Sequence, residues 1–384
     1  MTTRDAIPAT IDPPTRVLCG PGPTNPDPRV LEAMSRPLLG HLDPDMHAML
    51  LEVVELLRAV WRAGDDDLVF ALSATGTSAM EAGIVNLVAP GETVIVASAG
   101  FFGQRLAEIA RRHGAKVVEV SAEWGTAVPN ERLIDALDER PETRLLAVVH
   151  AETSTGVEHP VAQLGAALAD RDVLLMADCV TSLGGIEVEF ADWRIDYGYS
   201  CTQKCLAGPP GMAPVALSSR AQARVADRSH DVPFSLDLAL LRDYWVTRPG
   251  AYHHTAPILS IYALHEALRL VLLEGLRARW RRHLAAGRYL QHGITGLGLE
   301  LLAEPWRQLA PLTAVRVPEG IDRVHVQSTL RVEHGIEIGG SLGPGSPNIW
   351  RIGLMGPNAT EQTAEVLLSL LEDMLVSRPE LVPA

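Results

Sequence analysis

An alternation of two periodicities constrains this chain most. Short apolar runs closed by polar residues or glycine recur at residues 68–72, 93–97, 116–120, 145–150 and 173–178. Runs of that length and composition mark strands buried on both faces. Between them lie helical patterns, such as residues 103–113, where Leu106, Ile109 and Ala110 share a face and Gly114 supplies a stop. A chain that alternates in this way buries its apolar runs in a mainly parallel sheet covered by helices, so the expected class is α/β. At 384 residues it is long enough for that sheet and a second core.

Beyond Pro257 the pattern changes. Ile261, Leu264, Leu268 and Val271 fall on one face of a single long helix that runs to about Gly293 and bridges two units. Residues 312–317, 324–332 and 350–354 then read as strands and 360–375 as a helix, a smaller α+β unit. The expected division is an N-terminal arm over 1–18, a large domain over 19–275 and a small C-terminal domain over 276–384.

Composition removes several classes of function. With 33 Lys+Arg against 47 Asp+Glu, the net charge of −14 repels phosphate backbones, so nucleic acid is not an expected partner. No apolar run reaches the roughly 18 residues that a membrane span requires. Residues 1–16 are polar and Pro-rich without the apolar core of a signal peptide, and the last residues match no peroxisomal or ER-retention ending. The four cysteines, Cys19, Cys179, Cys201 and Cys205, form no CxxC pair and read as buried thiols. A cytoplasmic protein is expected.

Lysine is nearly absent. Only Lys116 and Lys204 occur, all other basic charge being arginine, so a position that keeps lysine is one where an amine has a use. Lys116 opens a strand pattern and is expected to face solvent. Lys204 lies in the uncharged run 200–208, without a neighbouring acid. A lysine held away from water has a depressed pKa and acts as Schiff-base former and proton carrier, although a surface lysine lying along an apolar wall would leave the same trace.

Strand ends in an open parallel sheet deliver their loops to one crevice. After residues 68–72 comes Ser73-Ala74-Thr75-Gly76-Thr77-Ser78, leading into a helix. Small residues and hydroxyls at a helix N-terminus suit one phosphate, and equally a plain helix cap. The stretch is neither GxxxxGK[ST] nor GxGxxG, which argues against a nucleoside triphosphate or a dinucleotide. Asp178 ends another buried run, where a carboxylate needs a cation or strong hydrogen bonds, unless it merely caps the next turn. Phe101 and Phe102 follow the 93–97 run. A phosphate site, a buried acid, an isolated amine and an aromatic ring at successive strand ends together describe a holder for pyridoxal 5'-phosphate.

With these positions in place, the chain resembles the class V aminotransferase family of fold-type I pyridoxal-phosphate enzymes, most closely its alanine–glyoxylate and serine–pyruvate branch. The matching segments run from about Leu18 to Leu375. They are Gly20-Pro21-Gly22-Pro23-Thr24, residues 73–82, Gly103-Gln104-Arg105, Glu152-Thr153-Ser154-Thr155-Gly156-Val157, Asp178 with Ser182-Leu183-Gly184-Gly185, Gln203-Lys204, Pro209-Pro210-Gly211, Tyr252-His253-His254-Thr255 and Arg351-Ile352-Gly353-Leu354-Met355-Gly356. The resemblance implies that Lys204 forms the Schiff base with the cofactor aldehyde, that Asp178 meets the pyridine nitrogen, and that Thr153 lies near the phenolic oxygen with Val180 against one ring face. Thr75, Gly76, Thr77 and Gln203 would hold the phosphate, Phe102 would stack on the ring, and Gly22 would adjoin the substrate. It further implies a homodimer in which Tyr252 and Thr255 reach the neighbouring subunit's phosphate.

Two departures from the family pattern stand out. Phe102 occupies the stacking position commonly held by Trp, keeping a π face but losing area and the indole N–H. The loop Gly40-His41-Leu42-Asp43-Pro44 has no role that can be carried over. Arg351 is expected to bind the substrate α-carboxylate, since a planar guanidinium donates two parallel hydrogen bonds. His253 and His254, as adjacent residues of an extended loop, are expected to point apart, and no metal is assigned. The expected reaction moves an amino group from alanine or serine to glyoxylate or pyruvate by a ping-pong route. Alternatives are an aminotransferase for ureidoglycine or pyridoxamine, a lyase with the same cofactor, a catalytically lapsed cofactor-binding module, and a nicotinamide-dependent dehydrogenase, which lacks its glycine fingerprint.

Overall fold

The computed structural model describes residues 10–248 and 250–376. Residues 1–9 of the expected arm and residues 377–384 of the expected small domain lie outside that description. The apolar runs form a seven-stranded sheet in the order Leu68–Leu72, Ala213–Leu217, Tyr197–Tyr199, Leu174–Asp178, Thr143–Val149, Thr93–Ser98, Lys116–Ser121. All neighbours are parallel except Ala213–Leu217, which runs antiparallel to both of its partners. The five strands Leu68–Leu72, Thr93–Ser98, Thr143–Val149, Leu174–Asp178 and Tyr197–Tyr199 therefore point the same way, and their C-terminal ends share one edge. Every residue of Leu68–Leu72, Thr93–Ser98 and Leu174–Asp178 is buried, as expected for strands with helices on both faces. Lys116 is exposed and all four cysteines are free and buried.

The large core gathers residues from Met46 to Val271, and a second core gathers Cys19 with residues from Ala286 to Met374. The division expected after residue 18 puts Cys19 in the large unit, whereas the structure packs it in the smaller one. The reason is local pairing: Val17–Leu18 lies parallel to Ile336–Glu337 and drags the next residue with it. The smaller unit is built on the antiparallel pair Leu312–Arg316 and Ile349–Gly353. No described helix is long and apolar enough to cross a membrane.

Two expected elements differ. The long helix after Pro257 is two helices, Ile258–Glu274 and Leu276–Gly296, broken at Gly275, whose φ of +82° suits a residue without Cβ. Residues 324–332 are not a strand but part of the helix Arg323–Glu333. Its apolar residues mimic alternation, yet Val326 and Leu330 are buried while Val324 and Val332 face solvent. Asp322 decides the matter, because its carboxylate accepts from the amides of Val324 (2.8 Å) and His325 (3.1 Å), an N-cap that a strand would not use.

Candidate active site

Strand register assembles the site. Val149, Asp178 and Tyr199 are paired across three adjacent parallel strands, so the loops after them open side by side. At this edge lies a cavity of about 240 Å³, lined by Gly22, Thr75, Gly76, Thr77, Phe102, Thr153, Asp178, Val180, Gln203 and Lys204, with Met80, Arg105, Thr181 and Cys201 among its other walls. Ten residues named from the sequence thus meet in one space. Three others stand apart from its lining: Arg351, Tyr252 and Thr255.

At one side the helix Gly76–Leu87 begins. Thr75 is its N-cap, its hydroxyl accepting from the Ser78 amide at 3.2 Å, so Gly76 and Thr77 form the first turn where amides lack intrahelical partners. Such a turn with hydroxyls attached is an anion site. Arg105 was absent from the sequence-based set. It lies with its guanidinium 4.6 Å from the Phe101 ring centre and 5.3 Å from that of Phe102, and its Nη1 reaches the Thr77 hydroxyl at 3.3 Å. The signal was an arginine one helical turn after an aromatic pair, spacing that places them together on a helix.

Asp178 is buried and takes hydrogen bonds from the Val180 amide (2.8 Å) and the Tyr199 hydroxyl (2.7 Å). Burial pushes its pKa up to about 6, against the pull of those two donors. Both donors are neutral, so the carboxylate has acceptor capacity to spare for a cation in the cavity. Tyr199 was missed because its partner lies 21 residues earlier, on the preceding strand, and comes beside it only through sheet register.

Lys204 is buried, and its amine donates to the Pro21 carbonyl. Burial lowers its pKa, and the charge of Arg351 pushes the same way. Gly22, at φ +102°, passes so close that a Cβ there would stand 2.7 Å from the lysine Cε. Only glycine lets the 20–24 segment close over the amine.

Arg351 sits in the strand Ile349–Gly353, its Nε donating to the Gly340 carbonyl (2.6 Å) and its Nη1 to the Thr153 carbonyl (3.3 Å). Burial brings its pKa down to about 10, which leaves it charged at neutral pH. The bond to Thr153 ties the smaller unit to the cavity wall. On the same loop, Glu152 is buried and accepts from the amides of Phe102 and Gly103 (3.2 Å each) and from the amide and hydroxyl of Ser154 (3.0 and 2.6 Å). Gly100, the N-cap of the helix Phe101–Arg112, offers no side chain, so Glu152 caps that helix from a distant loop and fixes Phe102 beside Thr153.

Tyr252, 63% exposed, and Thr255 lie outside this chain's cavity. Tyr252 packs edge-on against His41 of the 40–44 loop, ring centres 5.6 Å apart, which gives that loop a structural contact the sequence did not announce. The two histidines do not point apart. Their Nδ1 atoms are 2.8 Å from one another.

A family model described as aminotransferase class-V matches residues 18–347. Among curated proteins, the (S)-ureidoglycine–glyoxylate transaminase of Bacillus subtilis is 36% identical over 94% of this chain and 91% of its own length. The alanine–glyoxylate aminotransferase of Drosophila melanogaster is 36% identical over 95% of this chain and 93% of its own. Among solved structures, an alanine–glyoxylate aminotransferase from Nostoc superposes with a TM-score of 0.93 at 42% identity, covering 98% of this chain and 99% of that one.

Proposed function

The chain belongs to the class-V aminotransferase family and is a pyridoxal-phosphate-dependent transaminase, and from that premise we propose that it passes the amino group of alanine or serine to glyoxylate or pyruvate. One observation carries the reading: a buried amine and a buried acid whose hydrogen-bond donors are both neutral line one cavity, and a buried guanidinium outside that lining hydrogen-bonds the carbonyl of Thr153 in its wall. The residues present fit the cofactor. Asp178, held only by neutral donors, suits a protonated ring nitrogen, and the first turn at Thr75, Gly76 and Thr77, with Gln203 beside it, suits the phosphate. Phe102 and Val180 supply apolar walls for the ring.

Pyridoxal phosphate, when bound, supplies the electron sink that lets an amino acid ionise at Cα. Asp178 would hold the ring nitrogen of the bound cofactor in its protonated form. Lys204, whose pKa burial lowers, would be the group that takes the substrate Cα proton and delivers it to a second carbon. Arg351 would receive the substrate carboxylate on the N–H groups not spent on Gly340 and Thr153 and so align Cα with the lysine. Burial of all three excludes water and strengthens these interactions.

The three relatives named above differ in donor and share glyoxylate in their names, so the acceptor is better supported than the donor. The 42% identity to an alanine–glyoxylate enzyme favours alanine, and the 36% identity to the ureidoglycine enzyme makes ureidoglycine the second reading. Pairing alanine, serine, (S)-ureidoglycine and pyridoxamine each with glyoxylate and with pyruvate tests this. Glycine formed in equal amount to pyruvate from alanine is expected; glycine from ureidoglycine alone would displace the proposal. The functional unit in this reading is a homodimer, supported by the exposure of Tyr252 and Thr255 outside their own chain's cavity. Free buried thiols support a cytoplasmic setting.

A further inference from the structure

The 252–255 strap is fastened to the phosphate loop by two histidines. His253 Nε2 lies 3.1 Å from the Phe234 carbonyl, His253 Nδ1 lies 2.8 Å from His254 Nδ1, and His254 Nε2 lies 2.7 Å from the Ser73 hydroxyl. Aromatic contacts hold both rings: Phe234 stacks on His253 at 4.7 Å and Tyr244 lies 5.1 Å from His254.

A carbonyl only accepts, so His253 carries its proton on Nε2. If His253 is neutral, its Nδ1 is bare, and His254 must donate to it from Nδ1. A neutral His254 then accepts at Nε2, and Ser73 donates. The neutral chain has one solution, running from Ser73 through His254 and His253 to Phe234. It requires opposite tautomers in adjacent residues. Burial, with His253 adding to it, lowers the pKa of His254 and favours the neutral state. The groups facing the pair are the Ser73 hydroxyl, the Phe234 carbonyl and the Tyr244 phenol, with Tyr252 next in the chain. Among the described residues neither ring is hydrogen-bonded to a carboxylate or a cation.

One added proton leaves the link intact, because whichever ring carries it donates from Nδ1 and the other accepts there; in either case His254 donates from Nε2 to Ser73. The Ser73 hydroxyl then becomes free to donate elsewhere. A second added proton sets two N–H groups against each other and opens the link.

We propose that His253 and His254 are positioning residues: a directed hydrogen-bond chain, or relay, from Ser73 to the Phe234 carbonyl that locks the 252–255 strap to the start of the phosphate loop. The consequence for the cofactor rests on the homodimer reading, in which Tyr252 and Thr255 serve the neighbouring subunit.

Nitrogen-15 NMR of histidine-labelled holoenzyme at neutral pH, assigned with His253→Gln and His254→Gln variants, reads the relay directly. The expected result is His254 protonated on Nδ1 and His253 on Nε2; both rings protonated on Nε2 would overturn it. Ser73→Ala removes the terminal donor, and cofactor release into a scavenger at neutral pH should quicken by roughly tenfold, the loss of one net hydrogen bond. Unchanged release would overturn the locking role. Sedimentation of the wild type separates the two readings: a monomer defeats the homodimer, while the tautomers still decide the relay.

Discussion

At residue scale, Asp178 is the informative group. It titrates near 6 because burial outweighs two neutral donors. Above that pH it is anionic and holds a ring nitrogen's proton; below it, its own proton competes. Affinity of the apoenzyme for pyridoxal phosphate should therefore fall as pH drops through about 6, and Tyr199→Phe, which removes a donor to the charged form, should move that fall upward by about one pH unit. Fluorescence titration across a pH series checks both, and an unmoved midpoint would show that the phenol is not coupled. Arg351→Lys should lower kcat/KM by roughly tenfold to a few hundredfold, about 1.5 to 3 kcal/mol for a charge-assisted bond that an ammonium does not reproduce. Steady-state kinetics decide it, and unchanged values would remove Arg351 from the site. Lys204 and Asp178 were legible because their oddity is local, an amine in a nearly lysine-free chain and an acid ending an apolar run. Tyr199 and Glu152 were not, since each acquires its role from a partner that only the fold supplies, whereas Arg105 carried a local signal in its spacing from Phe101 and Phe102.

At the scale of elements, caps and breaks matter more than apolar pattern. Glu152 ends four hydrogen bonds from buried donors, so Glu152→Ala should cost about 2 to 3 kcal/mol, read from the urea midpoint. The same variant should weaken cofactor binding, because Phe102 rides on the helix that loses its cap. Gly275→Ala forces a Cβ onto a left-handed residue and should cost roughly 1 to 2 kcal/mol. If stability were instead unchanged, the break between the two helices would not depend on that dihedral. The sheet strands were readable because each is buried on both faces. Residues 324–332 misread because valines at alternate positions imitate a strand, and the decisive carboxylate, Asp322, lies outside the run.

Across the whole molecule, one acid joins the two cores. Glu274 takes Arg279 Nη1 and Arg282 Nε at 2.6 Å each. Arg279 also donates to the carbonyls of Gly184 (2.9 Å) and Cys205 (2.6 Å), beside Lys204, and Arg282 to those of Gly356 (2.9 Å) and Ala359 (2.8 Å) in the smaller unit. Glu274→Gln leaves a buried guanidinium short of its counter-charge and should cost about 2 to 4 kcal/mol in chemical denaturation. Loss of cofactor affinity should accompany it. By itself the sequence determined the alternating strands, the family and most of the cavity lining, because apolar periodicity and the chemistry of a rare amine are written in neighbouring residues. Tertiary structure alone decided which donors hold Asp178, which loop caps the Phe102 helix and how two histidines share their protons. Those facts depend on strand register and on contacts between segments 19 to 181 residues apart, where no local pattern carries the information.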